Sequence, residues 1–124
     1  MQYMLMCCFE QNSWETLPET ERAKIMQEYG TLIQDLVKSG QFRGGAQLYP
    51  TSSATTVRMK NGKPVITDGP FAETKEQLGG YHVIECRNLN EAISIAARIP
   101  TLPAGGTIEV RPVIPSPERE YSVR

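Results

Sequence analysis

Three side chains in this sequence could transfer protons, namely Asp68, His82 and Tyr29. His82 is the only histidine, and an unperturbed imidazole has a pKa of about 6.5, so it can act as a general acid or base near neutral pH. Each residue also has a structural interpretation. His82 can be a packed strand residue, Asp68 can cap a turn, and Tyr29 lies in an apolar helical stripe. The residue types alone leave both interpretations open.

Four further residues could contact a ligand, and these are Phe71, Tyr81, Glu73 and Arg43. The guanidinium of Arg43 could bind a ligand carboxylate through two hydrogen bonds, and Phe71 could form an apolar wall. The structural alternatives are that Phe71 fills a core and that Glu73 belongs to a solvated helical face. No cofactor and no metal is expected, since one histidine and three cysteines, two of them adjacent, make a zinc site improbable.

Most of these residues surround one segment, Thr67–Tyr81. Asp68-Gly69-Pro70 ends a β-branched run, because Gly69 tolerates a positive φ and Pro70 cannot donate to a sheet. Ala72 to Leu78 is polar and compatible with a short helix. Gly79-Gly80 then predicts a break before a strand that begins at Tyr81.

The predicted site combines this segment with the long helix described below. We predict that Asp68, Tyr29 and either Tyr81 or His82 line one concave site, with Phe71 as its apolar wall. The reason is that loops between rigid elements commonly carry binding residues.

Composition indicates one globular domain. The chain has 124 residues, of which 40% are hydrophobic and 22% charged, and we expect a domain over residues 1–114 with a tail over 115–124. The net charge of −1, without any run of Lys or Arg, argues against nucleic-acid binding. No segment resembles a signal peptide or a membrane helix, and the odd cysteine count does not fit a secreted disulfide framework, so a cytoplasmic location is expected.

The first half of the chain predicts a strand, a long helix and a hairpin. Tyr3–Phe9 is apolar on both alternations, as in a central strand. A loop over Gln11–Glu15 and a capping box at Thr16–Glu19 should precede an amphipathic helix that ends at Gly40. A second strand follows over Phe42–Tyr49, where Gly44-Gly45 suggests a bulge or a close backbone approach, and Asn61-Gly62 predicts a hairpin turn.

The second half predicts a strand, a helix and a strand. Tyr81–Cys86 is the next strand, Asn88 should cap a helix that ends at Pro100, and Thr107–Val113 is the last strand. This order favours an α+β, ferredoxin-like sandwich in which two helices cover one face of an antiparallel sheet. The other face would expose apolar side chains, which a homodimer would cover.

The motif Asp68-Gly69-Pro70-Phe71, followed by Ala72-Glu73-Thr74-Lys75-Glu76 and Leu78-Gly79-Gly80-Tyr81, resembles the signature of the DGPF-domain proteins of the YCII-related superfamily. The resemblance covers nearly the whole chain and implies a dimeric α/β-barrel assembly. It also implies that a histidine of the first helix, suspected of pairing with an aspartate, is replaced here by Tyr29.

Two classes of function are compatible with these features. The first is a small-molecule-binding protein with a cleft near the Asp68 loop, with or without acid–base catalysis. The second is a regulatory module that binds another protein, since DGPF domains occur attached to sigma factors. A perturbed histidine or aspartate in a concave site would favour the first class, and an apolar patch without such a site would favour the second.

Overall fold

A computed structural model describes residues 1–71 and 74–115 of the chain. Its elements, in chain order, are β1 (Gln2–Phe9), α1 (Gln11–Thr16), α2 (Glu19–Lys38), β2 (Phe42–Gln47), a 3₁₀ turn (Thr51–Ser53), β3 (Thr55–Lys60), β4 (Lys63–Asp68), β5 (Gln77–Glu85), α3 (Leu89–Ala96) and β6 (Thr107–Pro112). The predicted tail beyond Pro115 lies outside the described residues.

A four-stranded sheet forms the centre of the domain. Its strands lie in the order β2-β5-β1-β6, and the three pairings are all antiparallel. β1 and β5 are therefore the inner strands, as their apolar sequences predicted. The antiparallel sheet with helices packed against it confirms the predicted α+β, ferredoxin-like architecture.

The core lies between one face of this sheet and the helices α2 and α3. Along β1 every second residue is buried, because successive strand residues point to opposite faces. The buried residues of the sheet and the helices form one continuous cluster. Its members are Tyr3, Leu5, Cys7, Leu32, Leu36, Ile84, Cys86, Ala92, Ile95, Ala96 and Ile99.

The opposite face of the sheet is only half-buried. It carries Met4, Met6 and Cys8 from β1 and Tyr81 and Val83 from β5. Residues that pair across neighbouring strands share a face, so the pairings of Met4 with Val83 and of Met6 with Tyr81 define this surface. None of these five residues belongs to the core cluster between the sheet and the helices. The prediction that both faces of β1 are buried therefore holds for one face in the single chain.

The region around Thr16 differs from the prediction. Residues 11–16 form the helix α1, and Thr16 lies in its last turn, where its hydroxyl donates to the Ser13 carbonyl oxygen. The helix α2 begins after Pro18, without a side-chain cap. The loop and the capping box predicted here were wrong, because residues 11–16 form a helix of their own, in which the Trp14 ring contacts Phe9 edge to face.

The segment before Tyr81 also differs. β5 begins at Gln77, so that Gly79-Gly80 lies inside the strand and does not break the chain before it. A Cβ atom on Gly80 would lie 3.0 Å from the Ala46 carbonyl oxygen. A side chain at this position would crowd the backbone of β2. The short helix predicted over 72–78 does not extend into the described residues 74–78.

The apolar spacing predicts that Leu89, Ile93, Ala96 and Ile99 form the buried face of α3, and the structure buries only Ala96 and Ile99 of these four. Leu89 and Ile93 are about half exposed, whereas Ala92, Ile95 and Ala96 are buried. The residues 92, 95, 96 and 99 also follow a helical period, and the two alanines allow the helix backbone to approach the sheet closely. The predicted N-cap is confirmed, since the Asn88 side chain accepts a hydrogen bond from the Glu91 backbone N–H.

The strands β3 and β4 form a separate two-stranded sheet, which we call the arm (Thr55–Asp68). Its turn, Asn61-Gly62, has φ values of 52° and 76° at the two residues, as expected for the predicted hairpin. The strand ends at Asp68, and Gly69 has a φ of 96°. The arm is exposed along nearly its whole length.

We predict that a second copy of the chain covers the half-buried sheet face. Light scattering at micromolar concentration should give about twice the 13.8 kDa chain mass. Met6→Lys should raise the dimer dissociation constant by about tenfold or more, because it places a charge in an apolar contact. Val37→Lys, on the exposed side of α2, is the matched control and should leave the dimer unchanged. A monomeric wild-type chain would contradict this prediction.

Candidate functional site

A cavity of about 520 Å³ opens beside α2, between α1, the 3₁₀ turn and the β2 edge of the sheet. Its walls come from β1, α1, α2, β2 with the loop that follows it, and β5. The lining residues are Cys7, Cys8, Phe9, Gln11, Trp14, Met26, Tyr29, Gly30, Ile33, Ala46, Gln47, Leu48, Tyr49, Pro50, Thr51, Gln77, Leu78, Gly79, Gly80, His82 and Thr101.

The lining of this cavity is largely apolar, and no Lys, Arg, Asp or Glu is among the described residues that form it. Trp14, the only tryptophan of the chain, is one of its walls. Polar groups are few and come from histidine, tyrosine, threonine, glutamine and cysteine side chains. An apolar cavity with a few converging polar groups is the usual form of a small-molecule site.

The polar floor of the cavity is built around His82. Its ring lies between two aromatic rings, with centroids 5.5 Å from Tyr29 and 6.5 Å from Phe42. The buried Nδ1 atom has no hydrogen-bond partner among the described residues. Burial lowers the pKa of His82 below its ordinary value of 6.5, because desolvation disfavours the charged form. The imidazole is therefore neutral at neutral pH and can accept a proton.

Tyr29 supplies the second polar group. Its hydroxyl oxygen lies 3.0 Å from Cys7 Sγ, and either group can donate the hydrogen bond. Burial first, and then the contact with Cys7, raise the pKa of Tyr29 far above its ordinary value of 10.0, and the nearby Thr101 hydroxyl opposes part of this rise. Thr101 Oγ1 is itself buried without a well-aligned partner. Tyr29 is therefore a protonated phenol that can donate to a ligand.

Gly45 determines where the His82 ring can lie. A Cβ atom at this position would be 2.5 Å from the Tyr81 carbonyl oxygen and 2.7 Å from His82 Nδ1. Only a glycine allows β2 to pass this close to the imidazole. The bulge in β2 between Phe42 and Gly44 accompanies this approach, and both alternatives predicted for Gly44-Gly45 are confirmed.

One hydrogen-bonded cluster joins the elements at the side of the cavity. Thr51 Oγ1 lies 3.0 Å from Gln11 Oε1 and 3.0 Å from Gln77 Oε1, so its proton can be donated to either amide oxygen. These contacts connect α1, the 3₁₀ turn and the start of β5. The loop after β2 is thereby held against the cavity.

Of the predicted proton-transfer residues, the structure brings Tyr29 and His82 together. Asp68 ends the arm, and it does not line the cavity of its own chain; nor does Phe71, whose side chain is 77% exposed. The Asp68 carboxylate makes no hydrogen bond to another described residue, and the carbonyl of Phe71 accepts one from Arg58. Tyr81, the residue before His82 in β5, lies on the opposite face of the sheet from it.

The two other predicted ligand contacts also lie elsewhere. Arg43 donates from its guanidinium to the carbonyl oxygens of Gly40 and Phe42, so it binds the backbone of the connection between α2 and β2. Glu73 lies outside the described residues.

Several cavity residues had no signal in the sequence that pointed to a site. Trp14, Met26 and Leu48 are single apolar residues in segments that were predicted as loop, helix and strand. Thr101 follows α3 and is distant in sequence from every other wall. Gly30 was the one available signal, because a glycine inside an amphipathic helix carries a stability cost that needs a reason.

Comparison with known proteins identifies the family. The family model of the YCII-related domain matches residues 1–117. The chain belongs to the YCII-related family. An uncharacterized protein of Rhizobium meliloti (strain 1021) is 34% identical over 114 residues, which are 91% of this chain and 92% of that protein. The resemblance drawn from the Asp68-Gly69-Pro70-Phe71 motif is thus confirmed.

Membership of the YCII-related family gives Tyr29 and His82 a context. The resemblance implies that Tyr29 replaces a histidine of the helix, and the ring of His82, which comes from β5, lies with its centroid 5.5 Å from that of Tyr29. In the described part of the chain, no group of three or more His, Cys, Asp or Glu residues could hold a metal ion. Within the same residues, no helix is long and apolar enough to cross a membrane.

The lowered pKa of His82 predicts a pH-dependent stability. Between the folded and the unfolded pKa of His82, the unfolded chain binds more protons, so the free energy of unfolding should fall as the pH drops below about 6.5. His82→Gln removes this contribution, and because His82 is the only histidine the variant should show a flatter profile between about pH 7 and pH 5. Urea unfolding of both proteins checks this. Equal slopes would show that the imidazole is not desolvated.

Proposed function

We propose that this protein binds a small, uncharged and largely apolar molecule in the cavity beside α2, and that His82 and Tyr29 contact its polar group. The observation that carries the proposal is the combination of an uncharged, largely apolar lining with the imidazole of His82 and the phenol of Tyr29, whose ring centroids lie 5.5 Å apart. A few polar groups that converge in an apolar cavity are the usual form of a small-molecule site.

The absence of charged side chains from the described lining determines the class of ligand. An anionic or cationic group placed in this cavity would lose its hydration and find no opposite charge. The volume of about 520 Å³ lies within the range of small-molecule sites. An aromatic or aliphatic body with a single hydroxyl, carbonyl or amide would satisfy both conditions.

The same two residues give the site a means of acid–base chemistry. A neutral His82 can take a proton from a ligand, and the raised pKa of Tyr29 keeps its phenol available as a hydrogen-bond donor. A ligand oxygen bound to Tyr29 would be polarised while His82 removes a proton from a neighbouring atom. Catalysis of this kind is the finer part of the proposal, and binding is its foundation.

The small-molecule class is favoured over the regulatory module because a concave site with a perturbed histidine is present. We also propose that the protein acts in the cytoplasm. Cys7, Cys8 and Cys86 are all free thiols, a state that reducing compartments maintain.

A pair of fluorescent probes tests the uncharged character of the site. N-phenyl-1-naphthylamine and 8-anilino-1-naphthalenesulfonate share an aromatic skeleton and differ in one sulfonate. We expect the neutral probe to bind about tenfold or more tightly and to quench Trp14, which lines the cavity. Preferential binding of the sulfonate, or no binding of the neutral probe, would contradict the proposal.

A substitution at Gly30 tests the location. No atom lies within 4 Å of the place where its Cβ would be, so Gly30→Leu extends a side chain into the open cavity. We expect the affinity for N-phenyl-1-naphthylamine to fall about tenfold or more, while the free energy of unfolding rises or changes by less than about 1 kcal/mol, since leucine is the better helix former. Gln34→Leu adds the same side chain to α2 outside the cavity and is the control. Unchanged affinity in Gly30→Leu would place the probe elsewhere.

A further inference from the structure

The arm makes few connections to the rest of the chain. Among the described residues, its hydrogen bonds lead only to residues within 54–71, such as the bond that the Thr56 hydroxyl donates to the Gly69 carbonyl oxygen. A single two-stranded hairpin is at best marginally stable in water. A packing partner for the arm is therefore expected.

One face of the arm is apolar. Val57 pairs with Ile66, and Met59 lies two residues beyond Val57, so the three side chains point the same way. Their exposed fractions are 62%, 68% and 68% for Val57, Ile66 and Met59. Three large apolar side chains exposed on one side of a hairpin are typical of a protein interface.

The rim of the cavity presents a similar unpartnered surface. Met26, Leu48 and Tyr49 line the cavity and have exposed fractions of 42%, 42% and 86%. They form an apolar border from α2 to the loop that follows β2. In the single chain, both this border and the apolar face of the arm remain largely exposed.

The charges of the two surfaces are opposite. The arm contains three basic residues, Arg58, Lys60 and Lys63, and a single acidic one, Asp68. The segment 10–28, which contains α1 and the first part of α2 beside the cavity, contains five glutamates, one arginine and one lysine. Opposite net charges of this kind orient two protein surfaces during association.

We propose that the arm docks on a second copy of this chain, with its apolar face over the rim of that copy's cavity. Each cavity of the dimer would then be completed by a lid from the other subunit. The docked arm would also bring Asp68, which shares the apolar face with Ile66, to the border of the partner's cavity. The role of this lid as the cover of a ligand site rests on the proposed function, whereas the test below needs no ligand.

Quenching of a bimane label by tryptophan reports contact between the two copies. Met59→Cys is labelled with bimane in a chain that also carries Cys8→Ser and Trp14→Phe, so that the labelled chain has no tryptophan of its own. Cys7 and Cys86 are buried and should not react in the native state. This chain is refolded with an excess of unlabelled Cys8→Ser chain, and Trp14 of the other copy is then the only tryptophan that can quench the label.

We expect the bimane at position 59 to lose most of its fluorescence in the mixture. A label on Val65→Cys, on the other face of the arm, should lose much less, and refolding with an unlabelled Trp14→Phe chain should have no effect. Light scattering is used to confirm that mixed dimers form. The proposal would be overturned by mixed dimers without quenching at position 59, by equal quenching at both positions, or by a chain that stays monomeric. A failure of probe binding alone would leave this result intact and would count only against the proposed function.

Discussion

The alternation of side chains along β5 is the constraint on which the rest of the molecule depends. Its pairing with β1 places Leu5 beside His82 and Met6 beside Tyr81. Because neighbours on a strand point to opposite faces, a slip of one residue would exchange the core face with the open face. The pairing of β5 with β2 on its other side places Gly45 against the imidazole. The position of the histidine and the packing of the core are thus consequences of the register of β5 with its two neighbours.

The parts of the fold that depend on local sequence could be predicted. The period of α2, the Asn61-Gly62 turn and the cap at Asn88 each involve residues a few positions apart. The cavity could not be predicted, because its walls combine residues as distant as Trp14 and Thr101. Its floor depends on which face of β5 each residue occupies. β5 begins four residues earlier than predicted, and this does not change which of its residues share a face. No residue near Tyr81, however, indicates which of the two faces meets α2.

The cavity is maintained at the expense of stability. Gly30 lies inside α2, where a glycine costs roughly 1 kcal/mol relative to alanine, and no neighbouring atom requires its small size. The buried Nδ1 of His82 and the hydroxyl of Thr101 are left without well-aligned partners. Departures from an optimal core that meet at one place are expected at functional sites. They support the proposal that this cavity is a ligand site.

The sheet order has a consequence for how the chain is made. The inner strand β1 is synthesised early, yet it pairs only with β5 and β6, so that Tyr3 lies opposite Pro112. Contacts between such distant parts of a chain form slowly, since a large loop must close before they contribute. During translation, at roughly 5–20 residues per second, the apolar strand β1 remains unpaired for several seconds, until β5 and β6 have been synthesised. The nascent chain therefore offers a chaperone an exposed hydrophobic segment until β6 has emerged.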